Sequence, residues 1–416
     1  QLVIQEKANK YVRENVVQQI KITDRHILLP SDRDGYTHLY LYTLGGQLKR
    51  KIGDGQFEVT DVYGYDEATG DVYYAANKKG PQNQEVYVTH ANGKTDCLTD
   101  KTGMNSAIFS ADYKHFINIW SDLDHPSVYT INTNAGRTET TLIDNKALKQ
   151  KMDSYDLGSR ELFSFTTADG ISLNGWMVKP KDFDPAKRYP VIMYQYGGPG
   201  NQQVLNRWNN GMCGQGAVFE QYLAQQGYVV VCVDNRGTGG RGADFEKCTY
   251  LQLGKLEAHD QVETAVWLGK QSYVDKDRIG IWGWSYGGWN TLMSMSEGRP
   301  VFRAGVAIAP PTAWRYYDTV YTERYMRTPK ENAAGYEDNP ISRAPKLSGA
   351  LLICHGLADD NVHFQNTAEY TEALVQADKD FKENIYVNRN HSIFGGNTRN
   401  HLFRQAVNFF NDHLKR

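Results

Sequence analysis

The most informative stretch of this chain is Gly283-Trp284-Ser285-Tyr286-Gly287. An apolar run, residues 278–282, precedes it, and a helix-like run, residues 288–295, follows it. A serine between two glycines at a strand-to-helix junction is typical of a nucleophile elbow, which exposes one hydroxyl beside the backbone N–H groups of a helix start. The glycines give this tight turn the room it needs. The pattern therefore predicts that Ser285 is a catalytic nucleophile.

Buried strands and amphipathic helices alternate around this stretch, from residue 146 to residue 416. The predicted strands are residues 190–196, 228–234, 279–282, 304–309 and 350–354, and the predicted helices are residues 256–270, 291–296, 366–377 and 402–414. Near-continuous apolar runs are typical of parallel strands that are covered on both faces. Alternating strands and helices predict a doubly wound α/β sheet, and the elbow makes it an α/β-hydrolase. A short helical linker is predicted at residues 142–152.

Residues 1–145 have a different pattern, with short alternating runs of aromatic and β-branched residues that predict strands. A weak repeat places Tyr40, Tyr87 and Tyr129 at spacings of 47 and 42 residues. A period near 45 is typical of four-stranded propeller blades, and an irregular β-sandwich is the alternative. Three repeats cannot close a propeller, which takes about 4–8 blades. We therefore expect the chain to be the C-terminal part of a longer polypeptide.

Composition excludes several classes of function. The chain has 416 residues, 40% of them hydrophobic and 23% charged, as in a soluble protein of two domains. A net charge of −2 gives no reason to expect nucleic acid as a partner, and no apolar run is as long as a membrane-spanning helix. The five cysteines have no metal-like spacing, so free thiols are expected, with a Cys213–Cys248 disulfide left open. No metal or cofactor is expected, and no signal segment is visible after Gln1.

A nucleophilic serine needs a histidine base and an acid. In an α/β-hydrolase the acid follows the serine along the chain, and the histidine follows the acid. Asp359 follows the strand predicted at 350–354 and lies 74 residues after Ser285. His391 follows another apolar stretch and lies 32 residues after Asp359. Asp360 is adjacent to Asp359, and the sequence alone barely separates the two. The other candidates for the base are His363 and His355, and His355 precedes the acid and so breaks the chain order.

Tyrosines and a tryptophan supply the remaining candidate groups. The backbone N–H of Tyr286 is one expected oxyanion donor, and Tyr196, before a glycine-rich loop, is the second; an ordinary strand-end aromatic is the alternative for Tyr196. Trp314, Tyr317 and Tyr321 are spaced i, i+3 and i+7, which predicts one helical face. That face is either a core stripe or the wall of a pocket for a flat apolar ring such as proline.

With these residues the chain resembles the S9B serine peptidases of the prolyl oligopeptidase family. The motifs that carry the resemblance are residues 234–239, 283–288, 316–326 and 355–364, and the likeness runs from about residue 20 to the C-terminus. It implies an α/β-hydrolase under an eight-bladed propeller, with the site in the cavity between them. It also implies roles for these residues: Ser285 as nucleophile, Asp359 as acid, His391 as base, Tyr196 and the Tyr286 amide as oxyanion hole, and Tyr286, Trp314, Tyr317, Tyr321, Asn361 and Val362 around a proline at P1. The Asn361 side chain is further expected to bind the carbonyl of the residue before the proline.

The resemblance implies an exopeptidase that releases X-Pro or X-Ala dipeptides from peptides, acts as a homodimer partly through its C-terminal helix, and is extracytoplasmic (periplasmic or cell-surface in a bacterium). Pro311 and Ser392 depart from the family's usual valine and glycine. The chain contains no Glu-Glu dipeptide to grip the substrate's amino group, so those acids are expected upstream of Gln1. The alternatives are a prolyl tripeptidyl peptidase, an acylaminoacyl peptidase, an esterase, and a catalytically silent binding protein.

Overall fold

The computed structural model describes residues 2–208 and 218–415, and it contains three four-stranded antiparallel sheets followed by one eight-stranded sheet. A short helix, α1 (Glu14–Val17), precedes the first sheet. The strands of the three small sheets are β1 (Lys21–Ile22), β2 (His26–Ser31), β3 (His38–Thr43), β4 (Leu48–Ile52), β5 (Val59–Tyr65), β6 (Val72–Ala76), β7 (Glu85–Thr89), β8 (Thr95–Cys97), β9 (Met104–Phe109), β10 (His115–Ser121), β11 (Val128–Thr133) and β12 (Thr138–Ile143).

The three small sheets are propeller blades, as the repeat predicted. Tyr40, Tyr87 and Tyr129 lie in β3, β7 and β11, which are the third strand of each sheet. Apolar side chains of the first two blades, including Leu39 and Val72, are buried in one shared cluster. The blade architecture therefore replaces the irregular sandwich as the account of this region.

The large sheet has the strand order β13-β14-β16-β15-β17-β18-β19-β20. These strands are β13 (Ser159–Thr166), β14 (Ser172–Lys179), β15 (Tyr189–Tyr194), β16 (Val229–Asp234), β17 (Val274–Trp284), β18 (Ala304–Ile308), β19 (Ala350–Gly356) and β20 (Lys382–Tyr386). The last six are parallel to one another, so the predicted doubly wound sheet is confirmed. The antiparallel pair β13–β14 at one edge was not predicted.

Helices cover both faces of this sheet. In one hydrophobic cluster α3 (Val218–Gln225) and α11 (Thr398–Leu414) pack on the sheet, and in the other α5 (Lys255–Leu268), α6 (Tyr286–Met295) and α10 (Gln365–Gln376) do. The remaining helices are α2 (Lys146–Asp153), α4 (Ala243–Glu246), α7 (Thr319–Met326), α8 (Ala333–Glu337) and α9 (Pro340–Arg343). The linker helix was predicted to begin too early. Residues up to Ile143 pair with β11 as the last strand of the third blade, and the helix begins at Lys146.

Two hydrophobic clusters, one on each face of the large sheet, form the core of this region. Val230 and Trp282 belong to one cluster, and their neighbours Val231 and Ile281 belong to the other, as expected for strands covered on both faces. Phe410 of α11 is buried in the first cluster. The strands are therefore held between the two helical layers.

The apolar stripe of α11 faces this core. Phe403 packs against the rings of Phe219 and Trp282 at centroid distances of 4.5 and 6.3 Å.

In the described part of the chain no helix is long and apolar enough to cross a membrane. Cys97, Cys232, Cys248 and Cys354 are free thiols. Cys213, and with it the Cys213–Cys248 pairing, lies outside the described residues.

Candidate active site

The predicted elbow is a strained turn between β17 and α6. Ser285 has φ 58° and ψ −119°, a backbone conformation that L-residues rarely adopt. A Cβ at position 283 would lie 2.4 Å from the Gly287 backbone, and a Cβ at position 287 would lie 2.4 Å from the Gln195 carbonyl oxygen. The two glycines are therefore required by close backbone contact, and the turn places Ser285 at the start of α6.

Asp359 and His391 meet at the carboxyl ends of β19 and β20. The His391 Nδ1 atom lies 2.8 Å from Asp359 Oδ2. The other carboxylate oxygen accepts the backbone N–H groups of Asn361 and Val362, both at 2.9 Å. Asp360 is exposed and does not take part. The geometry therefore separates the two adjacent aspartates that the sequence left unresolved.

Asp359 keeps its negative charge because of these contacts. Burial would raise the pKa of its carboxyl, but hydrogen bonds from His355 and His391 and the attraction of His391 outweigh that effect. The pKa of Asp359 is consequently held well below its ordinary value. A buried carboxylate that stays ionised is suited to orient an imidazole and to stabilise its protonated form.

The loop that carries His391 is fastened to the elbow. The Trp284 indole N–H donates to the His391 carbonyl oxygen at 3.0 Å, and the Ala358 N–H donates to the Arg389 carbonyl oxygen at 3.1 Å. Arg399 donates to the carbonyl oxygen of Ser392 at 2.8 and 3.0 Å and lies over the Trp284 ring. These contacts bring His391 next to the residue before Ser285.

The hydroxyl of Ser285 makes no hydrogen bond to His391 within 3.5 Å among the described residues. In apo structures such contacts are often looser than in substrate complexes. The structure thus brings Asp359 and His391 into direct contact and places both beside the elbow.

Tyr196 and Tyr286 lie on the side of Ser285 where an oxyanion hole is expected. Their rings are 5.9 Å apart, and Tyr286 is the first residue of α6, where backbone N–H groups have no partner within the helix. Burial, followed by the nearby Tyr317 and Tyr325, raises the pKa of the Tyr196 hydroxyl to about 12. This hydroxyl is therefore protonated at neutral pH and available as a donor.

The predicted aromatic residues form one cluster, but their local structure differs from the prediction. Trp314 lies in a 3₁₀ turn, and a new helix, α7, begins after Asp318, whose side chain accepts the Tyr321 N–H. The three rings therefore do not share one continuous helix. They still converge, because the Trp314 ring stacks on Tyr321 at 5.9 Å and meets Tyr317 edge-on at 6.0 Å.

Asn361 and Val362, which were predicted beside these aromatic residues, lie in the loop that carries Asp359. The Tyr317 hydroxyl donates to Asn361 Oδ1 at 2.9 Å, which leaves the amide N–H groups of Asn361 free to donate. Val362 is fully buried. Asn361 therefore contacts both Tyr317 and Asp359, whereas Val362 contacts Asp359 through its backbone N–H.

Sequence reasoning missed a buried amide network behind the elbow. Gln195 Nε2 donates to the Gly287 carbonyl at 2.6 Å and to Thr291 Oγ1 at 3.0 Å, and Asn290 Nδ2 donates to Gln195 Oε1 at 2.7 Å. Gln195 directly precedes Tyr196, so the network fixes Tyr196 relative to α6. A single glutamine at the end of a strand carries no spacing signal that would have revealed it.

Glu257 was also missed. It is fully buried in α5, and the Tyr286 hydroxyl donates to its Oε1 atom at 2.8 Å. Burial raises the pKa of Glu257 to about 7, although the hydrogen bond from Tyr286 and nearby backbone N–H groups lower it. Because Tyr286 is both a predicted oxyanion donor and a member of the aromatic cluster, Glu257 fixes a residue with two predicted roles.

A third feature that was missed is Arg13, which joins the blades to the hydrolase region. Its guanidinium lies 2.7 Å from Glu58 and 2.8 Å from Glu246, and all three side chains are buried. Next to it, a cavity of about 350 Å³ is bounded by Arg13, Glu246, Tyr325 and other residues. Tyr325 contacts Tyr321 with ring centroids 4.8 Å apart, so this cavity adjoins the aromatic cluster. In the described ranges no group of three or more His, Cys, Asp and Glu side chains is placed to hold a metal ion.

The large sheet with its elbow is an α/β-hydrolase, and it follows blades of a β-propeller. Two family profiles match the chain: the prolyl oligopeptidase family over residues 218–416, and the dipeptidyl peptidase IV N-terminal region over residues 1–127. The chain belongs to the prolyl oligopeptidase family, in its branch of dipeptidyl peptidase IV-like proteins.

Named relatives agree with this assignment. The chain is 37% identical over 382 residues to a probable dipeptidyl-aminopeptidase B of Talaromyces marneffei, covering 89% of this chain and 42% of that protein. It is 37% identical over 356 residues to a probable dipeptidyl peptidase 4 of Emericella nidulans, covering 83% and 45%. The crystal structure of Porphyromonas gingivalis dipeptidyl peptidase 4 superposes with a TM-score of 0.95 at 45% identity, covering 99% of this chain and 58% of that one. The chain thus spans about half the length of the relatives it matches.

Proposed function

We propose that this chain carries the catalytic centre of a serine exopeptidase that cleaves after proline or alanine and releases X-Pro or X-Ala dipeptides. The observation that carries the proposal is the contact of His391 with Asp359 at 2.8 Å, in a loop held against the elbow by the Trp284 indole. Relatives named dipeptidyl peptidase 4 and dipeptidyl-aminopeptidase B support the class of reaction.

In this reaction the Ser285 hydroxyl oxygen attacks the carbonyl carbon of the P1 residue while His391 accepts the hydroxyl proton. Asp359 holds the imidazole in the tautomer with a free Nε2 and stabilises the imidazolium that forms. The Tyr286 amide and the Tyr196 hydroxyl stabilise the oxyanion of the tetrahedral intermediate. His391 then protonates the leaving amine, an acyl-enzyme remains on Ser285, and a water molecule activated by His391 releases the dipeptide.

The aromatic pocket accounts for the P1 preference. A proline ring is flat and apolar, and the clustered rings of Trp314, Tyr317 and Tyr321 offer a matching apolar surface, to which we assign buried Val362 as well. Alanine fits the same space with less contact. The free amide N–H groups of Asn361 lie at the rim of the pocket, where they can bind the carbonyl before the proline.

The adjoining cavity of about 350 Å³ has room for the residue before the proline. Its wall includes the carboxylates of Glu14 and Glu246 together with Arg13 and Arg324.

We further propose that the complete enzyme is a homodimer and is extracytoplasmic, periplasmic or cell-surface in a bacterium. Sedimentation at several protein concentrations and fractionation of the source cells would test these two points.

A panel of substrates tests the proposal against its alternatives. The panel is Gly-Pro-p-nitroanilide, N-acetyl-Ala-p-nitroanilide, Ala-Ala-Pro-p-nitroanilide and p-nitrophenyl acetate. We expect the complete enzyme to have its highest kcat/KM for the free dipeptide anilide. Preference for the acetylated anilide would indicate an acylaminoacyl peptidase, preference for the tripeptide anilide a tripeptidyl peptidase, and turnover of the ester alone an esterase. Failure of a fluorophosphonate probe to label Ser285 would indicate a catalytically silent protein.

A further inference from the structure

His355 is a second histidine on the catalytic acid. Its side chain is completely buried at the end of β19, and its Nε2 atom lies 3.2 Å from Asp359 Oδ2, the same oxygen that His391 contacts. The reaction steps described above use His391 and leave His355 without a task. Its position on the acid raises the question of what it does there.

The hydrogen-bond partners determine which nitrogen of His355 carries a proton. Nε2 also lies 2.8 Å from the Val362 carbonyl oxygen, which can only accept a hydrogen bond, so Nε2 must donate. Nδ1 lies 2.7 Å from the Thr367 hydroxyl, which can donate to it. The Nε2–H of His355 is thus shared between Val362 and Asp359.

The ring of His355 is also the centre around which the acid loop, residues 356–364, is folded. Phe364 meets the ring edge-on at 5.6 Å, and Thr367 at the start of α10 fixes its far side. Asp359, Asn361 and Val362 all belong to this loop. The orientation of the acid therefore depends on the position of the His355 ring.

We propose that His355 is a positioning residue of the catalytic centre, whose Nε2–H turns Asp359 Oδ2 toward His391 and limits the negative charge that this oxygen presents to the base. This inference deepens the proposed function and rests on it. Among the hydrogen bonds that lower the pKa of Asp359 against the effect of burial, the one from His355 is the largest. The contact of His355 is longer than that of His391, 3.2 Å against 2.8 Å, but the His355 ring is buried and held in place on both sides.

Other charged or titratable groups face this centre. They are Glu383 on β20, which interacts with the His355 ring, Tyr317, whose hydroxyl interacts with Asp359, and Arg399 of α11 beside the His391 loop. None of them makes a hydrogen bond to Asp359 among the described residues. A change in the pH dependence after substitution of His355 can therefore be assigned to the His355–Asp359 contact.

The test compares three variants. His355→Phe keeps a ring of similar size without a donor, His355→Gln retains an amide N–H near the position of Nε2, and His363→Phe changes an exposed histidine of the same loop as a control. The measurements are kcat and KM for Gly-Pro-p-nitroanilide and the acidic midpoint of the kcat/KM profile against pH.

We expect His355→Phe to lower kcat/KM about 10- to 100-fold, the effect of losing a hydrogen bond to a charged group. The acidic midpoint of this variant should move upward by about half a pH unit. Without the hydrogen bond from His355, the Asp359 carboxylate presents more negative charge to His391 and so favours its imidazolium form. His355→Gln should restore most of the activity and the wild-type midpoint, and His363→Phe should behave as the wild type.

Three outcomes would overturn the inference. One is a folded His355→Phe variant with an unchanged profile, and another is an equal loss in the Phe and Gln variants with the midpoint unmoved, which would indicate packing alone. If His355→Phe does not fold, Thr367→Val replaces it, since it keeps the ring but removes the hydroxyl on Nδ1. The third outcome would be an acidic midpoint of kcat/KM in Thr367→Val that stays at the wild-type value. A wild-type chain that neither turns over substrate nor reacts at Ser285 refutes the proposed function instead, so the two failures are distinguishable.

Discussion

The adjacent aspartates Asp359 and Asp360 provide a matched pair for testing the catalytic centre. Oδ1 of Asp359 accepts two backbone N–H groups, so in Asp359→Asn the amide oxygen must occupy that position. The amide NH₂ then replaces Oδ2 and points at His391 Nδ1, which was 2.8 Å from the oxygen. An N–H donor at that position makes His391 Nδ1 the acceptor, so the ring proton moves to Nε2. A protonated Nε2 cannot accept the hydroxyl proton of Ser285.

The expected loss is that of a wrong tautomer in an otherwise intact site, about 10⁴-fold in kcat or about 5 kcal/mol in the activation barrier. Asp360 is exposed, so Asp360→Asn should change kcat by no more than about twofold. The assay is hydrolysis of Gly-Pro-p-nitroanilide, with the thermal midpoint confirming that both variants are folded. More than about a tenth of wild-type kcat in Asp359→Asn, or a large loss in Asp360→Asn, would refute the reasoning.

Three further predictions follow from the buried polar groups. Arg13→Met leaves the buried Glu246 carboxylate without its cation and should cost about 3–5 kcal/mol of stability. The pKa of Glu246 is about 7 in the folded chain, above its ordinary value of 4.5. The contribution of Glu246 to stability therefore falls as the pH rises from 4.5 to about 7. Losing Arg13 raises that pKa further, so denaturant unfolding should show a smaller loss at about pH 5.5 than at about pH 8, and equal losses would contradict this. Tyr196→Phe should lower kcat about 100-fold with little change in KM, and an unchanged kcat would remove Tyr196 from the oxyanion hole. Glu257→Leu should raise KM for the proline substrate about tenfold while Glu257→Gln leaves it within about twofold; equal effects of the two would show that the acceptor for Tyr286 is unimportant.

Much of the fold was predictable because its signals are local. The parallel strands are continuous apolar runs, and the elbow needs two glycines within five residues, so both can be recognised from short segments. The propeller repeat was visible for the same reason, since each blade presents a tyrosine in its third strand. The β13–β14 pair was missed because it is antiparallel and lies at the edge of the sheet, where residues such as Ser159 and Ser172 are exposed and apolar runs are interrupted.

The candidate site was predictable in its residue types but not in all of its contacts. Chain order indicated His391 as the base, yet only the folded loop shows that Asp359 rather than Asp360 contacts it. The Trp314 and Tyr321 rings converge although the helix between them is interrupted, because tertiary packing decides their positions. Single buried charges such as Arg13 have partners tens or hundreds of residues away, and no sequence spacing reveals such pairs.

The central claim is that Ser285 cleaves peptides after proline, and the most direct test compares the wild-type chain with Ser285→Ala on Gly-Pro-p-nitroanilide. We expect steady release of p-nitroaniline and Gly-Pro by the wild type, and none above the uncatalysed rate by a Ser285→Ala variant of unchanged thermal stability. Retained turnover in Ser285→Ala, or cleavage by the wild type that is indifferent to the residue at P1, would contradict it.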